Sequence, residues 1–153
     1  MVSLSNPPDQ PFDRLRANVN SIMGIIKLSA TFTASPAFLY KFFLDSKLHA
    51  GVTGAKAKVS AKAGGKFTAW DGYISGKNVA LVKNKKIVQQ WRTTEFADGD
   101  PDSILELVFT AAGKGKAKLS LKHSGLPAGS AGGYKNGWKE FYFVPLKAYL
   151  KAR

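Results

Sequence analysis

From Ile26 to Thr33 the chain alternates without a fault, with Ile26, Leu28, Ala30 and Phe32 on one side and Lys27, Ser29, Thr31 and Thr33 on the other. A period of two with one apolar face predicts a half-buried strand. The alternation stops at Ser35-Pro36, where the serine oxygen can accept a free helix N–H and proline occupies the first helical turn without losing a needed donor. A helix through Phe38, Leu39, Phe42 and Phe43 is expected to follow. Asp45 and Ser46 offer a second start, giving a short helix through Leu48 that ends at Gly51 or Gly54.

Residues 55–123 read as six further strands, at about 55–61, 66–70, 73–82, 86–95, 103–112 and 116–123. Asp71-Gly72, Asn84-Lys85 and the glycines of 113–115 supply turn chemistry, and gaps this short imply an antiparallel meander. Beyond the glycine-rich stretch 125–133 the period becomes helical, with Trp138, Phe141, Tyr142, Pro145, Leu146 and Tyr149 at i, i+3, i+4, i+7, i+8 and i+11. This stripe must face something apolar. Pro145 inside it should remove a hydrogen bond and bend the helix. Strand, two helices, six strands and a long amphipathic helix define the fold class as α+β, with the helix laid on an antiparallel sheet.

Residues 1–22 carry three of the seven prolines and neither periodicity, which predicts a disordered leader before a domain at 23–153. Met23 stands directly before the first strand, so a start there, with 1–22 artefactual, is the alternative. A chain of 153 residues with 44% hydrophobic and 12% aromatic content can bury one core. The absence of cysteine excludes disulfides, thiolate metal sites and cysteine nucleophiles, and fits a reducing compartment. No apolar run reaches the ~18 residues of a membrane span and the N-terminus lacks a signal-peptide pattern, so a cytoplasmic location is expected. A net charge of +13 admits nucleic acid, an anionic membrane surface or an acidic protein as partner, and by itself selects none of them.

The segments SPAFLYKFFLDSKLHAGVTG, GGKFTAWDGYISGKN, KKIVQQWR, HSGLP and GWKEFYFVPLKAYL, in this order and spacing, resemble the START and birch-pollen-allergen superfamily. More specifically, they are similar to the domain shared by bacterial homologues and the C-terminal half of the activator of heat-shock protein 90 ATPase. The resemblance spans nearly all of residues 24–151. It implies a helix-grip fold: a curved seven-stranded antiparallel sheet wrapped around a long C-terminal helix, often with a cavity between them. It also implies a non-enzymatic AHSA-like binding domain, a co-chaperone that engages a heat-shock protein 90 type chaperone and stimulates its ATPase. Within these residues there is no counterpart of the activator's separate N-terminal domain, and the chain is more basic than the family leads one to expect. Fold transfers across such a resemblance more readily than function.

The residues themselves show no catalytic constellation. His49 and His123 share no metal-ligand spacing and read as structural. Asp98, Asp100 and Asp102 approach calcium-loop spacing, but Ser103 replaces the turn glycine and Phe109 the closing carboxylate. With Glu95 and Glu106 they form an acidic island that can dock a basic partner or hold the chain's own lysines. The stretch AAGKGKAKLS lacks the phosphate-loop pattern. Neither metal nor cofactor is expected.

Two surfaces remain. Lys56, Lys58 and Lys62 share one face of a strand, and Lys116, Lys118 and Lys122 repeat the arrangement. With the first strand between them, as the resemblance suggests, Lys27 completes a seven-lysine patch on the convex face. This patch is either a solvated outer face or a docking surface for an acidic protein. Nonspecific nucleic-acid binding there is disfavoured because no aromatics interleave the lysines for base stacking. On the opposite side, Phe32, Phe38, Phe42, Phe67, Trp70, Trp91, Phe109, Trp138, Phe141 and Tyr142 either pack as core or line a cavity for a hydrophobic small ligand.

Overall fold

The computed structural model describes residues 24–153, and the leader expected over 1–22 lies outside the described residues. One antiparallel sheet is built from β1 (Gly24–Phe32), β2 (Lys58–Val59), β3 (Lys66–Ala69), β4 (Ile74–Val82), β5 (Lys86–Thr93), β6 (Ser103–Ala111) and β7 (Ala117–Leu126). Its order is β1-β7-β6-β5-β4-β3-β2. Alternation along β6, with Ser103, Leu105, Leu107 and Phe109 buried and the residues between them half exposed, turns one face of the sheet inward.

Two helices follow β1 as their caps require. Ser35 Oγ accepts the Phe38 N–H at 3.0 Å to open α1 (Pro36–Leu44), and Asp45 Oδ1 accepts the Leu48 N–H at 2.9 Å to open α2 (Ser46–Thr53). Gly54, at φ 79°, closes α2 in the left-handed conformation that glycine adopts freely. These helices fill the gap between the two edges of the sheet. Ser46 Oγ accepts the Val59 N–H at 2.9 Å, so a side chain of α2 stands where another strand would pair with β2.

The expected strand over 55–61 shrinks to Lys58–Val59. At its start, the Lys56 N–H and carbonyl are taken up by Asp71; at its end, Asn78, fully buried on β4, donates its amide nitrogen to the carbonyls of Ser60 at 2.8 Å and Lys62 at 3.0 Å. Its amide oxygen accepts from Gln89 at 3.0 Å. The 60–65 backbone is thus satisfied by a side chain and by paired bonds to the Asn78 main chain instead of by a ladder. The register of β4 against β5 shifts at Asn78/Ala80, as a bulge does.

Gly76 on β4 has no room for a side chain. A Cβ there would lie 2.0 Å from the Gln90 carbonyl oxygen and 2.6 Å from the Phe67 ring. Gly76→Ala should therefore destabilise the fold by about 3 kcal/mol, at the upper end of ordinary overpacking, because backbone in a paired strand cannot move aside. Urea unfolding checks it. A cost below about 1 kcal/mol would show that the β4–β5 pairing is looser than described.

The chain ends in α3 (Ala131–Trp138), a π-helical turn (Lys139–Phe143) and α4 (Val144–Ala152), running on without a break. The Val144 N–H reaches back to the Lys139 carbonyl, and the extra residue rotates everything beyond it. Pro145 consequently falls in the first turn of α4, where its missing N–H is harmless. The expected stripe is corrected accordingly: Trp138, Tyr142, Phe143, Leu146 and Leu150 are buried, while Phe141 is 53% exposed and Val144 61%.

Candidate functional site

A cavity of about 550 Å³ opens between the β3–β4 turn, the start of β4, β5, the Glu95 turn and the inner side of α3. Its size falls within the usual range for small-molecule sites, about 300–1,000 Å³. Trp70, Tyr73, Ile74, Trp91, Tyr134, Trp138, Phe141 and Tyr142 form most of the wall, and Glu95, Gly129, Ser130, Gly133 and Gly137 complete it. All three tryptophans of the chain are among them.

Trp70 is held in an unusual backbone state. It and Asp71 have φ of 54° and 59°, a region that bulky side chains rarely enter. Asp71 anchors the turn, since its Oδ1 accepts the Lys56 N–H at 3.0 Å and its own N–H donates to the Lys56 carbonyl at 3.1 Å. The Trp70 ring meets Phe141 edge-on at 5.6 Å. Its indole N–H lies near the Tyr142 hydroxyl, opposing slightly the rise that burial imposes on the Tyr142 pKa, yet makes no hydrogen bond of acceptable geometry.

Elsewhere in the wall, Tyr134 packs edge-on to Trp91 at 5.4 Å, and its hydroxyl and Thr93 Oγ1 are 2.6 Å apart. Burial foremost, then Tyr134 and Glu95, raise the Tyr73 pKa to about 12 against an opposing pull from Thr93, so this phenol stays protonated.

Beneath the cavity runs a buried polar chain. Trp138 Nε1–H donates to His123 Nδ1 at 3.1 Å, His123 Nε2 is 2.8 Å from Ser103 Oγ, and Ser103 Oγ–H donates to the Trp91 carbonyl at 2.7 Å. Because Trp138 can only donate and the Ser103 proton is already engaged, His123 is neutral with its proton on Nε2. Burial lowers its pKa to about 3. His49 stacks on Phe42 at 4.8 Å, with Nε2 2.9 Å from the Tyr142 hydroxyl. Burial lowers its pKa to about 4, partly offset by the nearby Phe42 carbonyl, although Nδ1 makes no hydrogen bond of good geometry. Both rings are buried and hydrogen-bonded to neighbours in the core.

Of the aromatic candidates, Trp70, Trp91, Trp138, Phe141 and Tyr142 line the cavity. Phe32, Phe42, Phe67 and Phe109 are buried core and Phe38 is half-buried against Tyr149, because α1 and α4 close over that end of the sheet. Tyr73 and Tyr134 were not among the expected cavity residues, and Glu95, expected in the acidic island, lines the cavity as well. The four-residue spacing Tyr134-Trp138-Tyr142 was the available signal for one of them.

The seven lysines do not converge. Among the described residues β1 pairs with β7 alone, while β2 lies at the far edge of the sheet. Lys27 sits directly opposite Lys122, with Lys118 opposite Thr31 and Lys116 in the preceding turn. Lys56, Lys58 and Lys62 belong to the other edge, with five strands between β2 and β1. Two acids of the island are held by the chain's own cations: Arg92 donates to Asp102 at 2.9 Å and to the carbonyls of Asp100 and Ala97, and Lys86 pairs with Glu106 at 3.6 Å.

A seven-stranded sheet gripping one long helix, with an aromatic cavity at the mouth, defines a helix-grip domain. Among the described residues no group of His, Cys, Asp or Glu is placed to hold a metal ion, and no helix is long and apolar enough to cross a membrane. The family model described as Activator of Hsp90 ATPase homolog 1-like protein matches residues 33–151, and the chain belongs to that family. It is 35% identical over 122 residues to the human activator of 90 kDa heat shock protein ATPase homolog 1, covering 80% of this chain and 36% of that protein. It is 26% identical over 129 residues to the Hsp90 co-chaperone AHA1 of Saccharomyces cerevisiae, again covering 80% of this chain and 36% of that protein. The chain thus spans roughly a third of the length of these curated relatives. The crystal structure of an HSP90 activator from Plasmodium falciparum superposes with a TM-score of 0.77 at 25% identity, covering 83% of this chain and 96% of that one.

Proposed function

We propose that this chain is a non-enzymatic, cytoplasmic binding domain that engages a chaperone of the Hsp90 class and biases its conformational equilibrium. The family match over residues 33–151 is the observation that carries this reading. Such an effect needs tighter binding to one chaperone state than to another. The β1–β7 face is the docking surface of choice. Lys27 and Lys122 are directly opposite across the ladder, with Glu106 on β6 opposite Lys122 in turn, so the like-charge repulsion is offset only in part from within and the remaining positive charge favours anionic groups laid over this face.

The test compares two triple variants with equal change in net charge. Lys27, Lys118 and Lys122, each changed to Glu, should slow association with an Hsp90-type chaperone about tenfold at low salt, where screening is weakest. Lys56, Lys58 and Lys62, changed likewise on the opposite edge, should slow it far less. Equal losses in stopped-flow association would leave net charge as the whole explanation and remove the docking face.

The cavity supports a second reading, carriage of a hydrophobic small ligand. An aromatic space of about 550 Å³ is large enough to bury one. Native mass spectrometry of freshly purified protein should then show a bound small molecule that is lost on unfolding.

A further inference from the structure

The cavity wall carries two chemistries. Trp70, Trp91, Trp138 and Phe141 supply flat aromatic surface, with the Trp70 N–H buried and unpartnered beside them. The hydroxyls of Tyr73 and Tyr134 and the exposed Glu95, the one acidic or basic residue in the wall, supply the polar part. Ring faces and a carboxylate both attract a cation and both repel an anion.

The helical wall points the same way. Gly133 and Gly137 lie one turn apart inside α3 and weaken that helix relative to alanine. Packing does not require them. A Cβ on Gly133 would meet nothing within 4 Å, and one on Gly137 only a Phe141 ring carbon at 4.0 Å. Both glycines line the cavity, so a larger side chain at either would take room at its mouth.

We propose that this cavity binds a flat organic cation, a protonated nitrogen heterocycle whose ring lies among Trp70, Trp91 and Trp138 and whose charged edge faces Glu95. The proposal rests on the carrier reading of the cavity and adds the charge and shape of the ligand. The chain's net charge of +13 works against it, since nonspecific attraction favours anions. A cation preference therefore reports the local site alone, especially at physiological salt, where fields are screened beyond about 8 Å.

The experiment titrates the full chain with three probes on one tricyclic frame: aminoacridine as the cation, acridine as the neutral form and acridine carboxylate as the anion. Calorimetry gives affinities, and tryptophan emission is a second readout because every tryptophan lines the cavity. Aminoacridine should bind about tenfold tighter than acridine carboxylate. Glu95→Gln should shrink that preference to less than about threefold while leaving acridine unaffected. Gly133→Leu, entering open space, should abolish binding of all three without lowering the thermal midpoint. Equal or tighter binding of the carboxylate would overturn the cation assignment and leave the cavity reading in place. If none of the probes binds, or the Gly133→Leu protein binds them as well as the parent, the cavity reading falls with it.

Discussion

Trp138→Ala should remove most of the stability of this domain. The side chain is 4% exposed and packs against Tyr142, Trp91 and His123 at ring-centroid distances of 4.7, 6.0 and 6.0 Å. Truncating a buried tryptophan costs about 3–5 kcal/mol through lost transfer energy and the cavity left behind. Here the change also strips His123 Nδ1 of its donor, and a buried unpaired acceptor adds about 1–3 kcal/mol. Trp138→Phe separates the two contributions, because the ring survives and the N–H does not, so it should cost the smaller amount. Urea unfolding of both variants is the measurement. Near-native stability of Trp138→Ala would mean that the helix is not held in the sheet's grip.

Mild acid should be the second large perturbation. Imidazoles titrate near 6.5 when exposed, whereas burial holds His49 at about 4 and His123 at about 3 in the folded chain. Between these values the unfolded state binds protons that the folded state refuses, so stability is full above pH 6.5 and falls as the pH drops toward the folded values. Each histidine contributes about 1.4 kcal/mol per pH unit in that window, and lowering the pH from 7 to 5 should cost roughly 4 kcal/mol together. Both imidazole proton resonances should stay at their neutral positions throughout while the chain remains folded. A resonance that moves near pH 6.5, or an unchanged urea midpoint at pH 5, would place that ring in water.

Much of this architecture is legible in the residue pattern because it is set locally. Ser35-Pro36 and Asp45 cap their helices by bonds to N–H groups three residues away, and the β1 alternation needs nothing beyond the inward face of the sheet. Edges are another matter. Periodicity says which face of a strand is buried but not which strand lies beside it, so Lys56, Lys58 and Lys62 looked like neighbours of Lys27 when the whole sheet separates them. The strand at 55–61 was cut short by Asp71 at one end and Asn78 at the other, polar residues whose reach across the fold leaves no trace in the local pattern. The π-turn likewise moved Phe143 inward and Phe141 outward, since one inserted backbone position rotates every later side chain. Glu95 and Tyr73 joined the site because two turns meet in space, and neither turn carries a sign of the other.

The pairing of β1 with β7 bears on how the chain comes to be folded at all. Leu28 finds Leu121 as its partner, so on a ribosome β1 waits until the rest of the sheet has followed it out. The aromatic faces of α1 and the sheet stay open longer still, until Trp138 and the segment beyond it arrive to cover them. Long-range pairing of this kind is slow because loop closure is entropically costly before any contact rewards it. A protein of this design, one that belongs to a family named for a chaperone's activator, passes through its own synthesis as the kind of exposed, unfinished chain that chaperones hold.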